Sequence, residues 1–244
     1  VYEFANTQDP DFPLFAAGSR YTDDTVLSVA VADVILNKGD YAATIRRYAN
    51  EHPGRGYGGM FARWIRLPRA GPYNSFGNGS AMRVSPVGFA FRTEAEVLSE
   101  ARRSAEVTHD HPEGIKGAQA VALAIFLARA GKDKNAIRAR ISGQFGYDLD
   151  RTLDSIRPRY HFDETCQGSV PEAIIAFLES SGFENAIRKA VALGGDSDTI
   201  AAIVGAIAQA HYGGVPPDIA RQVRQRLPDE MLAVVDAFGA KHGL

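Results

Sequence analysis

Residues 193–213 read LGGDSDTIAAIVGAIAQAHYG. Behind a Gly-Gly pair, Asp196 and Asp198 stand just ahead of a long run of small apolar residues. A segment that is apolar on nearly every face is a helix packed within other helices, so this stretch argues for helix-on-helix architecture. The acids at its mouth need a reason. Carboxylates near a helix start accept from free N–H groups and favour the dipole, but one would suffice, and adjacent like charges repel. Residues 21–36, YTDDTVLSVAVADVIL, repeat the arrangement with Asp23 and Asp24.

Working outward, the pattern stays helical. The spacing predicts a buried helix over Thr25–Asn37, stopped by NKGD with Gly39 as the C-terminal cap. YAATIRRYANEH is amphipathic and ends at Pro53 and Gly54. GPYNSFGNGSAMRVSPVG reads as a long turn-rich stretch. RTEAEVLSEARRSAEVT is a helix with Thr93 as cap and Glu96 at capping-box distance. GIKGAQAVALAIFLARAG is a second buried helix, and the pattern loosens between Gly143 and Gly168. VPEAIIAFLESSG places Pro171 in a first turn, where its missing N–H costs nothing. FENAIRKAVALGG, the helix after Asp198 and PDEMLAVVDAFGAKHG complete the chain. Neither a repeat nor a strand alternation of useful length is present. The expectation is one all-α domain, a multi-helix orthogonal bundle over residues 1–244.

The 244 residues suffice for a sizeable core, and 45% hydrophobic with 23% charged is ordinary for a soluble globular chain. A net charge of −2 gives no ground for nucleic-acid or anionic-membrane partners. No apolar run reaches the length of a membrane span. The acidic, proline-broken opening VYEFANTQDPDFPLF lacks the pattern of a signal peptide. A single cysteine, Cys166, permits no internal disulfide and predicts a reducing, cytoplasmic setting with an inert thiol.

Asp23, Asp24, Asp196 and Asp198 supply carboxylates from two helix starts far apart in the chain, with Thr22, Thr25 and Thr199 beside them. Hard divalent cations take oxygen ligands, and facing helix starts could hold two of them and so remove the repulsion. Asp-capped helices in a purely structural protein are the plain alternative. The histidines do not suit zinc: THDHPEG puts His109 and His111 before Pro112 with no third ligand near, which reads as a solvated loop or helix entry. In SFGNGSAMR, Gly77 and Gly79 around Asn78 allow positive φ and close backbone approach to a ligand. HPGRGYGG, residues 52–59, is similarly glycine-rich.

Taken in order, YTDDT, FGNGSAMRVSPVG, THDHPEGIKGA and ALGGDSDT resemble the ADP-ribosylglycohydrolase family over nearly the whole chain. The resemblance implies an all-helical domain with two Mg²⁺ (or Mn²⁺) ions that hydrolyses the N- or O-glycosidic bond of ADP-ribosylated proteins or small molecules and releases ADP-ribose. Arginine-linked ADP-ribose is the first expectation. It implies Thr22, Asp23, Asp24, Asp196, Asp198 and Thr199 as metal ligands, with Glu3 or Asp24 as general acid or base. Ser75, Phe76, Gly77, Asn78, Gly79 and His109 are implied as substrate contacts, with Gly56 and Gly58 near the diphosphate. The family opens on a small-residue helix ending in Gly-Asp ahead of the stretch matching Val1–Phe4, and this sequence holds no counterpart. That departure keeps a second expectation open, an ADP-ribose- or nucleotide-binding protein with weak or no hydrolysis.

Overall fold

The computed structural model describes residues 5–244. Its helices are α1 (Asp23–Asn37), α2 (Tyr41–Glu51), α3 (Gly59–Ile65), α4 (Gly79–Met82), α5 (Ser85–Ala90), α6 (Glu94–Glu106) and α7 (Pro112–Arg129). After them come α8 (Lys134–Phe145), α9 (Leu153–Ile156), a 3₁₀ turn (Arg157–Arg159), α10 (Cys166–Leu178), α11 (Phe183–Leu193), α12 (Ser197–Tyr212), α13 (Pro217–Arg224) and α14 (Asp229–His242). Among the described residues there is no strand. A lone antiparallel bridge joins Gly77 to Thr165, and the fold is all-α.

Helix α7 is the hub. It packs against α4, α5, α6, α8, α10 and α12, which is why it reads as apolar all round: Leu123 and Ile125 are fully enclosed. Each such side chain removed from water contributes roughly 1.5–3 kcal/mol. Small residues set the approach distances. A Cβ on Gly117 would lie 2.4 Å from Cys166 Sγ, and one on Gly88 would lie 2.6 Å from Ile125 Cβ, so α10 and α5 each close on α7 through a missing side chain. Helix α1 lies against α2, α5 and α14 and touches α12, burying Val26, Leu27, Val29, Ala30, Val31 and Val34. No described helix is long and apolar enough to cross a membrane.

Several expectations need correction. Helix α1 begins at Asp23, not Thr25, so both acids lie in its first turn. Lys38, not Gly39, adopts the left-handed cap conformation (φ 54°) and donates its N–H to Val34 O. Pro171 lies inside α10 because the helix starts earlier, at a Thr165 cap that accepts from Gly168 N. The turn-rich stretch carries two short helices, α4 and α5, and α3 follows the glycine-rich 52–59 loop; all three are too brief to show a periodicity. The capping box holds: Thr93 accepts from Glu96 N, and Glu96 accepts from Thr93 N at 3.0 Å.

Candidate active site

The two acidic helix starts meet. Tyr21 and Thr22 lead into α1, and Asp23 N donates to Arg55 O at 2.8 Å, which binds this start to the glycine-rich 52–59 loop. Gly56 has φ +100°, and a Cβ there would approach Asp23 Oδ1 to 3.1 Å, so glycine meets both needs at once. From the far end of the chain, Gly194 and Gly195, both left-handed, swing the backbone from α11 into α12. Asn6 bonds both N–H and C=O of Gly195 and fixes that turn. Asp196 takes the N-cap position of α12 but makes no side-chain cap bond, and α1 likewise has none at Thr22. Within the first turn of α12, Asp198 Oδ1 accepts from Thr199 N at 3.0 Å, so capping speaks for Asp198 but gives no reason for the buried Asp24 beside it.

Both starts open into a cleft of about 460 Å³. Asp23, Asp24, Asp196, Asp198 and Thr199 line one part of it. Gly56, Gly58, Ser75, Phe76 and Gly77 line it too, as do Asn78, Gly79 and His109. Thr22 stands just behind this wall and donates its hydroxyl to Asp24 Oδ2 at 2.9 Å. Glu3 lies outside the described residues.

Asp24 is the most stressed group. Only 6% of it is exposed, and its Oδ1 has no hydrogen-bond partner. Burial, then the charges of Asp198 and Asp23 and more weakly Asp196, hold its carboxyl well above the usual range, against the opposing Thr22 bond. Acids from opposite ends of the chain therefore act on one buried carboxyl. Among the described residues no three His, Cys, Asp or Glu side chains are drawn together as a finished ion cage. The orphaned Asp24 Oδ1 and the all-oxygen donor set nonetheless fit a hard cation.

The glycine loop is held from behind. Asn78 N donates to Glu164 O (2.7 Å) and Cys166 N donates to Phe76 O (2.9 Å). Asn78 Nδ2 reaches Asp196 Oδ2 at 2.6 Å and Ser169 Oγ at 2.9 Å, joining the loop to the acidic group. Neither Gly77 nor Gly79 has positive φ; Asn74 does, at 55°. What requires glycine is space: a Cβ on Gly79 would stand 3.3 Å from His109 Nε2, and one on Gly77 would stand 3.3 Å from Ser75 Oγ.

His109 is not solvated. It is 4% exposed, and its Nδ1 lies 2.7 Å from Thr108 Oγ1. Burial, then the Arg83 cation, keep its ring well below the usual histidine pKa. His111 is the helix-entry residue and accepts from Glu113 N to cap α7. Cys166 is fully buried, and burial pushes its thiol up to about 12, so it is no nucleophile.

Arg83, Tyr73 and Phe162 also line the cleft, and sequence reading passes over them. Arg83 carried a faint signal, a lone cation inside the otherwise small and apolar GSAMRVSPVG. Phe76 and Phe162 expose apolar rings at 45% and 51%, placing aromatic faces on a polar cleft.

An all-helical domain whose two acidic helix starts face a glycine-lined cleft is the class of protein this geometry defines. The sequence profile of the ADP-ribosylglycohydrolase family matches residues 2–243, and the chain belongs to that family. It is 32% identical to ADP-ribosylhydrolase ARH3 of Danio rerio, covering 80% of this chain and 70% of that protein. It is 30% identical to ADP-ribosylarginine hydrolase Tri1 of Pseudomonas putida, over 86% of this chain and 64% of that one. A solved structure described as an ADP-ribosylglycohydrolase-related protein complex superposes with a TM-score of 0.71 at 29% identity, covering 91% of this chain and 81% of the other.

Proposed function

We propose that the protein is a hydrolase that cleaves the N- or O-glycosidic bond of an ADP-ribosylated protein or small molecule and releases ADP-ribose, with residues 1–244 acting as one domain. The buried, unpartnered Oδ1 of Asp24, loaded by Asp198, Asp23 and Asp196, carries this reading. A buried charge among like charges costs several kcal/mol unless a counter-charge joins it. Thr22, Asp23, Asp24, Asp196, Asp198 and Thr199 would hold two Mg²⁺ or Mn²⁺ ions. When bound, such ions neutralise the acids and lower the pKa of a coordinated water.

The chain's own groups do the remaining work. Thr22 fixes Asp24 through Oδ2 and leaves Oδ1 without a partner. Asp24 or Glu3 takes or returns the proton as the bond breaks. The acidic group favours the positive charge that grows on the anomeric carbon. Ser75 to Gly79 offer a close-packed backbone surface for ADP-ribose, and Phe76 and Phe162 offer flat faces for its base. A cleft of this size suits a ligand of that class.

An arginine-linked acceptor is the first choice, because a guanidinium leaving group complements the acidic part of the cleft. The similarity to the ADP-ribosylarginine hydrolase of Pseudomonas putida supports that choice. The test is release of ADP-ribose from arginine- and serine-linked peptides with Mg²⁺, with Mn²⁺ and with chelator. Cation-dependent release is expected, faster from the arginine peptide. Tight ADP-ribose binding without release from either peptide would show a binding protein instead.

A further inference from the structure

Arg83 is a buried cation whose hydrogen bonds, among the described residues, go only to neutral oxygens. It has no exposed surface, and its Nη2 donates to Ser104 O at 2.9 Å and to Thr108 Oγ1 at 2.8 Å. Its Nε and Nη1 have no hydrogen-bond partner among the described residues. A guanidinium has donors only, so in this contact Thr108 Oγ1 must accept. Thr108 is itself fully buried, and among the described residues its hydroxyl proton has one acceptor within reach, His109 Nδ1 at 2.7 Å. Sending the proton there leaves no orphaned O–H, whereas an Nδ1–H tautomer would strand it at a cost of about 1–3 kcal/mol. With Nδ1 accepting, the ring proton of the neutral imidazole sits on Nε2. Nε2 makes no hydrogen bond to a described residue. It lies close beside Gly79 and Gly77, facing the space their missing side chains leave in the cleft.

We infer that Arg83 and Thr108 are positioning residues that lock His109 in its Nε2–H tautomer, so that the ring presents a fixed donor to an acceptor oxygen of the bound substrate beside Gly77 and Gly79. The buried charge of Arg83 makes an anionic oxygen the better partner. Burial and the same cation oppose a second proton on the ring. This assignment rests on the proposed ADP-ribose chemistry of the cleft only for the identity of the ligand. The relay itself belongs to the ligand-free protein.

The test has two arms. Nitrogen-15 NMR of the histidine rings of the ligand-free protein at neutral pH, with His109→Gln to assign the signal, reads the tautomer directly. Nδ1 unprotonated and Nε2 protonated is the expected result. Nδ1–H or an imidazolium overturns the relay. The second arm measures ADP-ribose affinity by calorimetry. Thr108→Val should lose the fixed tautomer and weaken binding about tenfold, while Thr108→Ser, which keeps the hydroxyl, should restore both. Thr108→Val protein that binds as the wild type does, or Thr108→Ser protein that binds as weakly as Thr108→Val, would overturn the substrate role. Wild-type protein that shows the expected tautomer but binds no ADP-ribose would sink the functional reading and leave the relay standing.

Discussion

Asp24→Asn removes one negative charge from beside Asp198, Asp23 and Asp196 while keeping the shape of the side chain. If the acids exist for cations and chemistry, release of ADP-ribose should fall by about a hundredfold or more. Stability without cations should hold or rise by about 1 kcal/mol, the usual trade at a strained site. Thermal melting in chelator beside a turnover assay checks both, and an active variant contradicts the assignment. Gly79→Ala acts at the other end of the cleft. Its Cβ would press on His109 Nε2 at 3.3 Å, so KM should rise several-fold with little change in melting temperature. His109 also predicts a pH effect. Its folded pKa lies below the ordinary 6.5, so the unfolded chain binds the proton first. Its contribution is fully present above about 6.5 and is lost as pH falls from there toward the folded value, by up to about 1.4 kcal/mol per unit. Melting of wild type and His109→Gln between pH 7.5 and 5.5 should show the smaller loss in the variant.

Helices α7 and α10 meet where Gly117 faces Cys166 Sγ. Gly117→Ala overfills that crossing and should cost about 1–3 kcal/mol. Cys166→Ala removes the Sγ but keeps its Cβ, 2.8 Å from the new methyl, so the double variant should regain only part of the loss, a coupling that denaturation of the four proteins measures. Additive losses would mean the contact does not set the spacing. The same elements show what sequence can and cannot display. The acidic mouths of α1 and α12 were legible because paired acids before an apolar run are a local pattern, although α1 itself begins two residues earlier than the apolar run. The Thr93–Glu96 box was legible because its partners are three residues apart. His109 and Arg83 were not, since their burial comes from Thr108, Ser104 and the far-off glycine loop, partners that no local spacing announces. Pro171 misled because the Thr165 cap, paired to the loop at Gly77, starts α10 before the apolar run begins.

Across the whole molecule, the first and last thirds of the chain are coupled through one cleft. Asn6 holds Gly195, Asn78 holds Asp196, and α1 lies against α12. A cation seated among Asp24, Asp196 and Asp198 would bind only the folded chain, so it should stabilise the protein by mass action, about 2.7 kcal/mol at one hundred times its Kd. For a chain of this size that is a rise of roughly 5–10 °C in Tm. Mg²⁺ or Mn²⁺ should produce it and chelator should reverse it, whereas Asp198→Ala should be indifferent to either. Differential scanning calorimetry on both proteins decides the point. The most direct examination of the account is anomalous diffraction from a crystal grown with Mn²⁺ and ADP-ribose. Two manganese peaks between the α1 and α12 starts, with the ribose against them and the rest of the ligand along residues 75–79, is the predicted result. Manganese bound elsewhere, or a cleft holding ADP-ribose with no metal near Asp24, would contradict it.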